Sequence, residues 1–334
     1  MSEMYQPAAT EGPPEPPAEN RQSNDLPYVF VGPEGLRAGW GLAIFLIVRE
    51  ILQSWIYPLF MKLFPVSTRS HGLYRPQGLL VFELAALLCV LIATLVMARI
   101  ERRPLSAYGA ATSHGLGYFL AGLGWGSGLL SVLVCGLRFA GVLSFDGWQL
   151  SSRSAFRYGA IWLMGFLLVG LYEESLSRGY LQFTLTRGLR GFYRLLGVAH
   201  SDSAAFWTAA VITSFAFGFG HIGNLGESAV GLTAAALIGL VFCLSLWRTG
   251  SLWWAIGFHA SWDWAQSFFY GVADSGTMAQ GHLLATHPVG RSILSGGSTG
   301  PEGSLFVFPV IALAAAVVLI TLPANRTQGN LDTQ

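Results

Sequence analysis

The apolar positions of this chain fall into long unbroken runs, not into the strict alternation of half-buried strands. Runs of about 20 residues, enough to cross roughly 30 Å of hydrocarbon, occupy about 38–61, 78–98, 116–137, 156–185, 204–222, 228–247, 251–272 and 305–323. The pattern predicts an all-α polytopic membrane protein with about eight transmembrane helices around an intramembrane polar cavity. Residues 1–36 carry seven prolines and no apolar run. They are expected to be a disordered tail, and lacking an apolar core they do not read as a signal peptide. The membrane domain is expected over 37–325, with 326–334 a short polar tail. Segment 273–304, rich in Gly and Ser, is too polar to span and reads as an outer loop.

Composition narrows the class. Apolar and aromatic residues make up 52% of the 334 and charged residues only 11%, with a mean hydropathy of +0.50. A soluble domain carries about 25% charge, so the solvent for most of this chain is a lipid bilayer. A net charge of +1 gives phosphate nothing to hold, which excludes a nucleic-acid binder. Between the expected spans, ten basic residues fall on the side of the N-terminus and seven on the other. The excess is expected to place both termini on the cytoplasmic side, and the membrane is expected to be a bacterial plasma membrane. Cys89, Cys135 and Cys243 each lie in an apolar run and read as packing residues, not as a disulfide framework. Gly122, Gly124, Gly126 and Gly128 read as close helix packing through small residues. No internal repeat of the kind common in transporters is present.

Ionisable residues inside lipid cost a few kcal/mol each and mark functional positions unless paired. Three groups stand out. In Tyr172-Glu173-Glu174-Ser175-Leu176-Ser177-Arg178, Glu174 and Arg178 are four apart and share a helix face. Glu173 lies about 100° round the helix and is left available as a general base. His221 closes the apolar run Phe215-Ala216-Phe217-Gly218-Phe219-Gly220 and is followed by Asn224. His259 and Asp263 are again four apart in the seventh run, a pair that packing does not explain. Arg49 and Glu50 are adjacent and are not expected to face one another; they are expected to reach other helices or line the cavity, in structural pairs above all. Glu83 has no partner visible in the sequence, and His71, His114, His200, His282 and His287 carry no assignment.

Taken together, Glu173-Glu174-x-x-x-Arg178, Phe217-x-x-x-His221 and His259-x-x-x-Asp263 resemble, in order and spacing, the signature of the CPBP family. These are the type II CAAX prenyl endopeptidases and their bacterial bacteriocin-processing and self-immunity relatives. The resemblance covers a core of about 155–272, with Arg102-Arg103-Pro104-Leu105 and Tyr108-Gly109 looser matches. It implies an intramembrane endopeptidase with a cavity open to the cytosol, acting on a membrane-associated or lipidated peptide or protein. It further implies that Glu173 and His221 activate a water, that His259 and Asp263 support the oxyanion, and that Arg178 steadies Glu174. Phe217 and Asn224 are supporting residues.

Two departures shape the expectations. The family often has asparagine where this chain has Asp263, and an ionised carboxylate cannot donate to an oxyanion. Asp263 is therefore expected to hold His259 protonated, or to be protonated itself. His221 also lies roughly 27 Å along its helix from Ser203, whereas Glu173 stops short of the cytoplasmic end of its own. They meet only if the fifth helix begins outside the hydrocarbon or breaks near Gly218 and Gly220; the first is expected. Glu173, His221 and His259 could equally hold Zn²⁺ with an open water position, although the resemblance favours metal-free chemistry. Non-catalytic membrane partner and proton-coupled transporter stand as the competing function classes, and the oligomeric state is open.

Overall fold

A computed structural model describes residues 29–32, 35–70, 73–110, 114–224 and 226–323. The tail expected over 1–36, apart from its last residues, and the polar tail expected over 326–334 lie outside them. Ten α-helices carry the described chain: α1 Ala38–Leu63, α2 Pro76–Ile100, α3 Gly115–Phe139, α4 Ser152–Glu174, α5 Gln182–Leu195, α6 Ser201–Gly220, α7 Ala229–Thr249, α8 Trp253–Trp264, α9 Ser292–Ser295 and α10 Val307–Thr321. Three antiparallel two-stranded ribbons join them: β1 Val31–Gly32 with β2 Gly35–Leu36, β3 Arg69–Ser70 with β4 Leu73–Tyr74, and β5 Leu143–Trp148 with β6 Leu284–Pro288. The architecture is all-α and polytopic.

Among the described residues six helices, not eight, are long and apolar enough to cross a membrane. One is a single 44-residue rod, Ser152–Leu195, in which α4 runs through a π-helical segment, Ser175–Leu181, directly into α5. The expected span 251–272 is instead the 12-residue α8 continued by a second π-helical segment, Ala265–Phe269. The last expected span shortens to the 15-residue α10. The physical reason lies in burial. Nearly every side chain of α8 is buried, so its walls are protein and lipid does not set its length.

Glycines let α8 sit inside. A Cβ on Gly122 would collide with the Trp254 carbonyl, and one on Gly126 with the Phe258 carbonyl. Gly257 makes the reciprocal approach to Phe119. The glycine stripe therefore packs through Gly122 and Gly126, whereas Gly124 and Gly128 meet nothing and have no part in it. Cys89 and Cys243 are buried and unbridged, as packing residues should be, but Cys135 is exposed.

The bundle has two ends. At the near end Gly188 abuts Ala38, the first residue of α1. The last seven residues of α5 and the turn into α6 consequently project beyond the start of α1. There Arg190 pairs with Asp202 at 2.7 Å. α6 runs unbroken through Gly218 to Gly220 and is capped by His221. The far end is built from 64–70, 73–75, 140–151 and 270–306.

Candidate active site

Three stretches bring the ionisable groups to one level. Glu173 and Glu174 close α4, His221 caps α6, and His259 and Asp263 lie one turn apart on α8. The two π-helical segments directly follow Glu174 and Trp264, and such windings recur at functional sites. Glu173, Phe217, His221, Asn224, His259 and Asp263 all line one cavity of about 210 Å³. Glu174 and Arg178 stand behind its wall, both side chains fully buried.

Glu174 Oε1 accepts from Arg178 Nη1 at 3.0 Å and from His259 Nδ1 at 3.0 Å. The first contact is the pair expected from the spacing. The second is a contact the spacing did not reveal. Glu174 holds Nδ1, whereas Asp263 Oδ2 lies 3.5 Å from Nε2 and Glu173 Oε2 lies 3.7 Å from the same nitrogen. One turn of helix brings Asp263 beside the ring, but the ring's second nitrogen is reached only from α4. Both distances at Nε2 are too long for strong direct hydrogen bonds.

Phe217 is the hub of the second motif. Its ring carries the Arg178 guanidinium 4.4 Å from the centroid and meets His221 edge-on at 5.0 Å. Phe217 also contributes its backbone carbonyl, 2.9 Å from His221 Nδ1. A proton on Nδ1 donated there leaves His221 Nε2 as an acceptor. Phe242 covers the other side, stacked on His259 at 5.7 Å and 5.5 Å from Arg178. Gly239 makes room for Arg178, because a Cβ there would press on Nη2.

Sequence reasoning missed several of the lining residues. Glu83, without a partner in the sequence, is buried on α2 and lines the cavity; an isolated carboxylate in an apolar helix was the signal. Asp274 and Glu302 also line it and come from the segment read as an outer loop. That segment folds back over the far end. Gln280 N donates to the Tyr74 carbonyl at 2.8 Å, the Trp162 indole to the Gln280 carbonyl at 3.1 Å, and Thr299 Oγ1 to the Gly226 carbonyl at 2.9 Å. No local pattern reports contacts this distant in sequence. Burial, reinforced by the carboxylates of Asp263 and Glu302, holds Asp274 well above the usual carboxylate range.

One further expectation changes. Arg49 does pair with its neighbour Glu50, because its guanidinium turns back along α1 while also reaching the Tyr172 hydroxyl at 3.3 Å. The cavity extends from mid-bundle toward the far end, its lining reaching Tyr74, Asp274 and Glu302.

Residues 154–265 match the family model described as type II CAAX prenyl endopeptidase Rce1-like. The segment is similar to CAAX-protease-type domains. The match spans α4 to α8 and contains all three motifs, so the resemblance read from their spacing holds over the segment that builds the site. No curated protein and no solved structure matches the chain.

A zinc ion held by Glu173, His221 and His259 would need all three within about 2.0–2.2 Å. Among the described residues no three His, Cys, Asp or Glu side chains are arranged to hold a metal. His259 engages Glu174 through one nitrogen and faces two carboxylates with the other. As arranged, the set does not fit the ion.

Proposed function

We propose that this protein is an intramembrane endopeptidase that hydrolyses a peptide bond with a water activated by Glu173 and His221. The observation that carries the reading is the convergence of Glu173, His221 and His259 on one cavity within an Rce1-like segment, with His259 fixed from behind by Glu174 and Arg178. Glu173 takes a proton from water as its oxygen bonds to the carbonyl carbon, and His221 Nε2 orients that water as an acceptor. The proton passes from Glu173 to the leaving amine nitrogen as the C–N bond breaks. Negative charge developing on the carbonyl oxygen is met by Nε2–H of a protonated His259. Asp263 and Glu173 face that nitrogen and favour its charged form. The substrate is a membrane-associated or lipidated protein or peptide, admitted from the bilayer.

The test compares protein termini in membranes from cells carrying wild-type protein or Glu173→Gln at equal abundance. Termini that vanish with Glu173→Gln identify the substrate and the cleavage rule. An unchanged set of termini, with the variant folded and inserted, overturns catalysis and leaves a non-catalytic membrane partner.

A further inference from the structure

The charge of the cavity wall is one-sided. Its lining has five carboxylates, Glu83, Glu173, Asp263, Asp274 and Glu302, against two histidines, and contains no lysine or arginine. The buried Arg178 is shut behind Phe217 and Phe242 and engaged by Glu174. Four of the carboxylates have neighbours that answer them. Glu173 and Asp263 face His259, Asp274 accepts from Ser267 Oγ at 3.0 Å, and Glu302 accepts from Ser275 Oγ at 2.9 Å.

Glu83 is different. It is only 9% exposed and lines the cavity; its Oε2, like that of Glu173, is buried with no hydrogen-bond partner, but Glu83 has no histidine facing it as Glu173 has. A buried carboxylate oxygen without a donor is costly, and the proposed water chemistry makes no use of it. The group that would satisfy it is a cationic donor arriving from outside the chain.

We propose that the cavity binds a lysine or arginine side chain of the substrate, with Glu83 as the residue that reads it. The inference rests on the peptidase reading for the identity of its ligand as a peptide. The same wall offers a substrate's free terminal carboxylate no lysine or arginine to pair with. Recognition therefore runs through a basic side chain beside an internal bond. Charge neutralisation inside a low-dielectric cavity supplies the selectivity.

The probes are fluorescent lauroyl-Leu-X-Leu-Leu amides with X as Arg, Gln or Glu, added to the full-length protein in phosphatidylcholine nanodiscs. Binding is read by anisotropy and cleavage by mass spectrometry of the same samples. The Arg peptide is expected to bind about tenfold or more tightly than the Gln peptide, as for a charge-assisted hydrogen bond gained in a buried site, with the Glu peptide weakest. Glu83→Gln should bring the Arg peptide level with the Gln peptide, and Glu83→Asp should keep the preference. Equal binding of the Arg and Gln peptides by wild-type protein, which requires no variant to fold, overturns the proposal. So does a preference that survives Glu83→Gln. Glu83-dependent binding of the Arg peptide without cleavage of any probe upholds the subsite and counts against the peptidase. Cleavage of all three at equal rates and affinities does the reverse.

Discussion

Two carboxylates of this protein, Glu174 and Glu101, are both fully buried and both paired with arginine, yet they sit in unlike surroundings. Glu101, just past α2, lies 3.2 Å from Arg187 Nη2, 3.2 Å from the Tyr180 hydroxyl and 3.4 Å from the Tyr108 hydroxyl. Tyr180 in turn reaches the Gly41 carbonyl at 3.2 Å, so the cluster closes on itself and ties the start of α1 to the end of α2. Burial, then the Glu101 charge, pushes the Tyr108 phenol up to about 12. Glu174 also has an arginine at 3.0 Å, but its second partner, His259, turns its other nitrogen to the cavity. Burial and ion pairing are therefore shared by both clusters and do not mark a site. A path from the pair to a cavity does.

The comparison can be broken or sharpened in order of effect. Glu173→Gln removes the proposed base and should lower peptidase turnover by about 10²–10⁴ while leaving thermal unfolding in detergent near the wild-type temperature. An active variant would remove Glu173 from the chemistry. Arg178→Leu leaves Glu174 uncompensated in the interior and should cost about 3–5 kcal/mol in chemical denaturation. A variant as stable as wild type would show that the pair is not buried as described. Glu101→Gln keeps the oxygen acceptor but leaves Arg187 without its counter-charge, a loss of about 1–3 kcal/mol, and turnover per folded molecule should not change. A fall in turnover matching that of Glu173→Gln would erase the distinction between the clusters.

The smallest effect concerns pH. Asp274 titrates above its ordinary range in the folded protein. Its contribution to stability is therefore full below the unfolded carboxylate value and is lost as pH rises through the folded one. The stability of Asp274→Asn relative to wild type should accordingly improve as pH is raised from about 4. A difference independent of pH would place Asp274 in contact with water instead of under the 270–306 segment.

Helical spacing made half of the candidate site legible. Glu174 and Arg178, four apart, pair as the period requires, and the three motifs converge because each is carried on its own apolar helix. What the spacing could not carry was the partner of His259 Nδ1, 85 residues away in sequence, or the place of Asp274 and Glu302 over the cavity. Span counting erred where burial replaced lipid. Run length reports hydrophobicity without saying whether protein or bilayer supplies the apolar neighbours, so α8 read as a full span although it is walled by the bundle.

By itself the sequence determined the solvent, the all-α class and the three helices that carry the ionisable groups, because hydropathy and the 3.6-residue period are local properties. Only the tertiary structure decided which carboxylate orients His259, that Glu83 faces the same cavity, and that a polar segment covers the far end. Those outcomes depend on distances between residues remote in the chain, set by how glycine-lined helices approach and by where a 44-residue rod meets an antiparallel neighbour. No pattern along one segment encodes them.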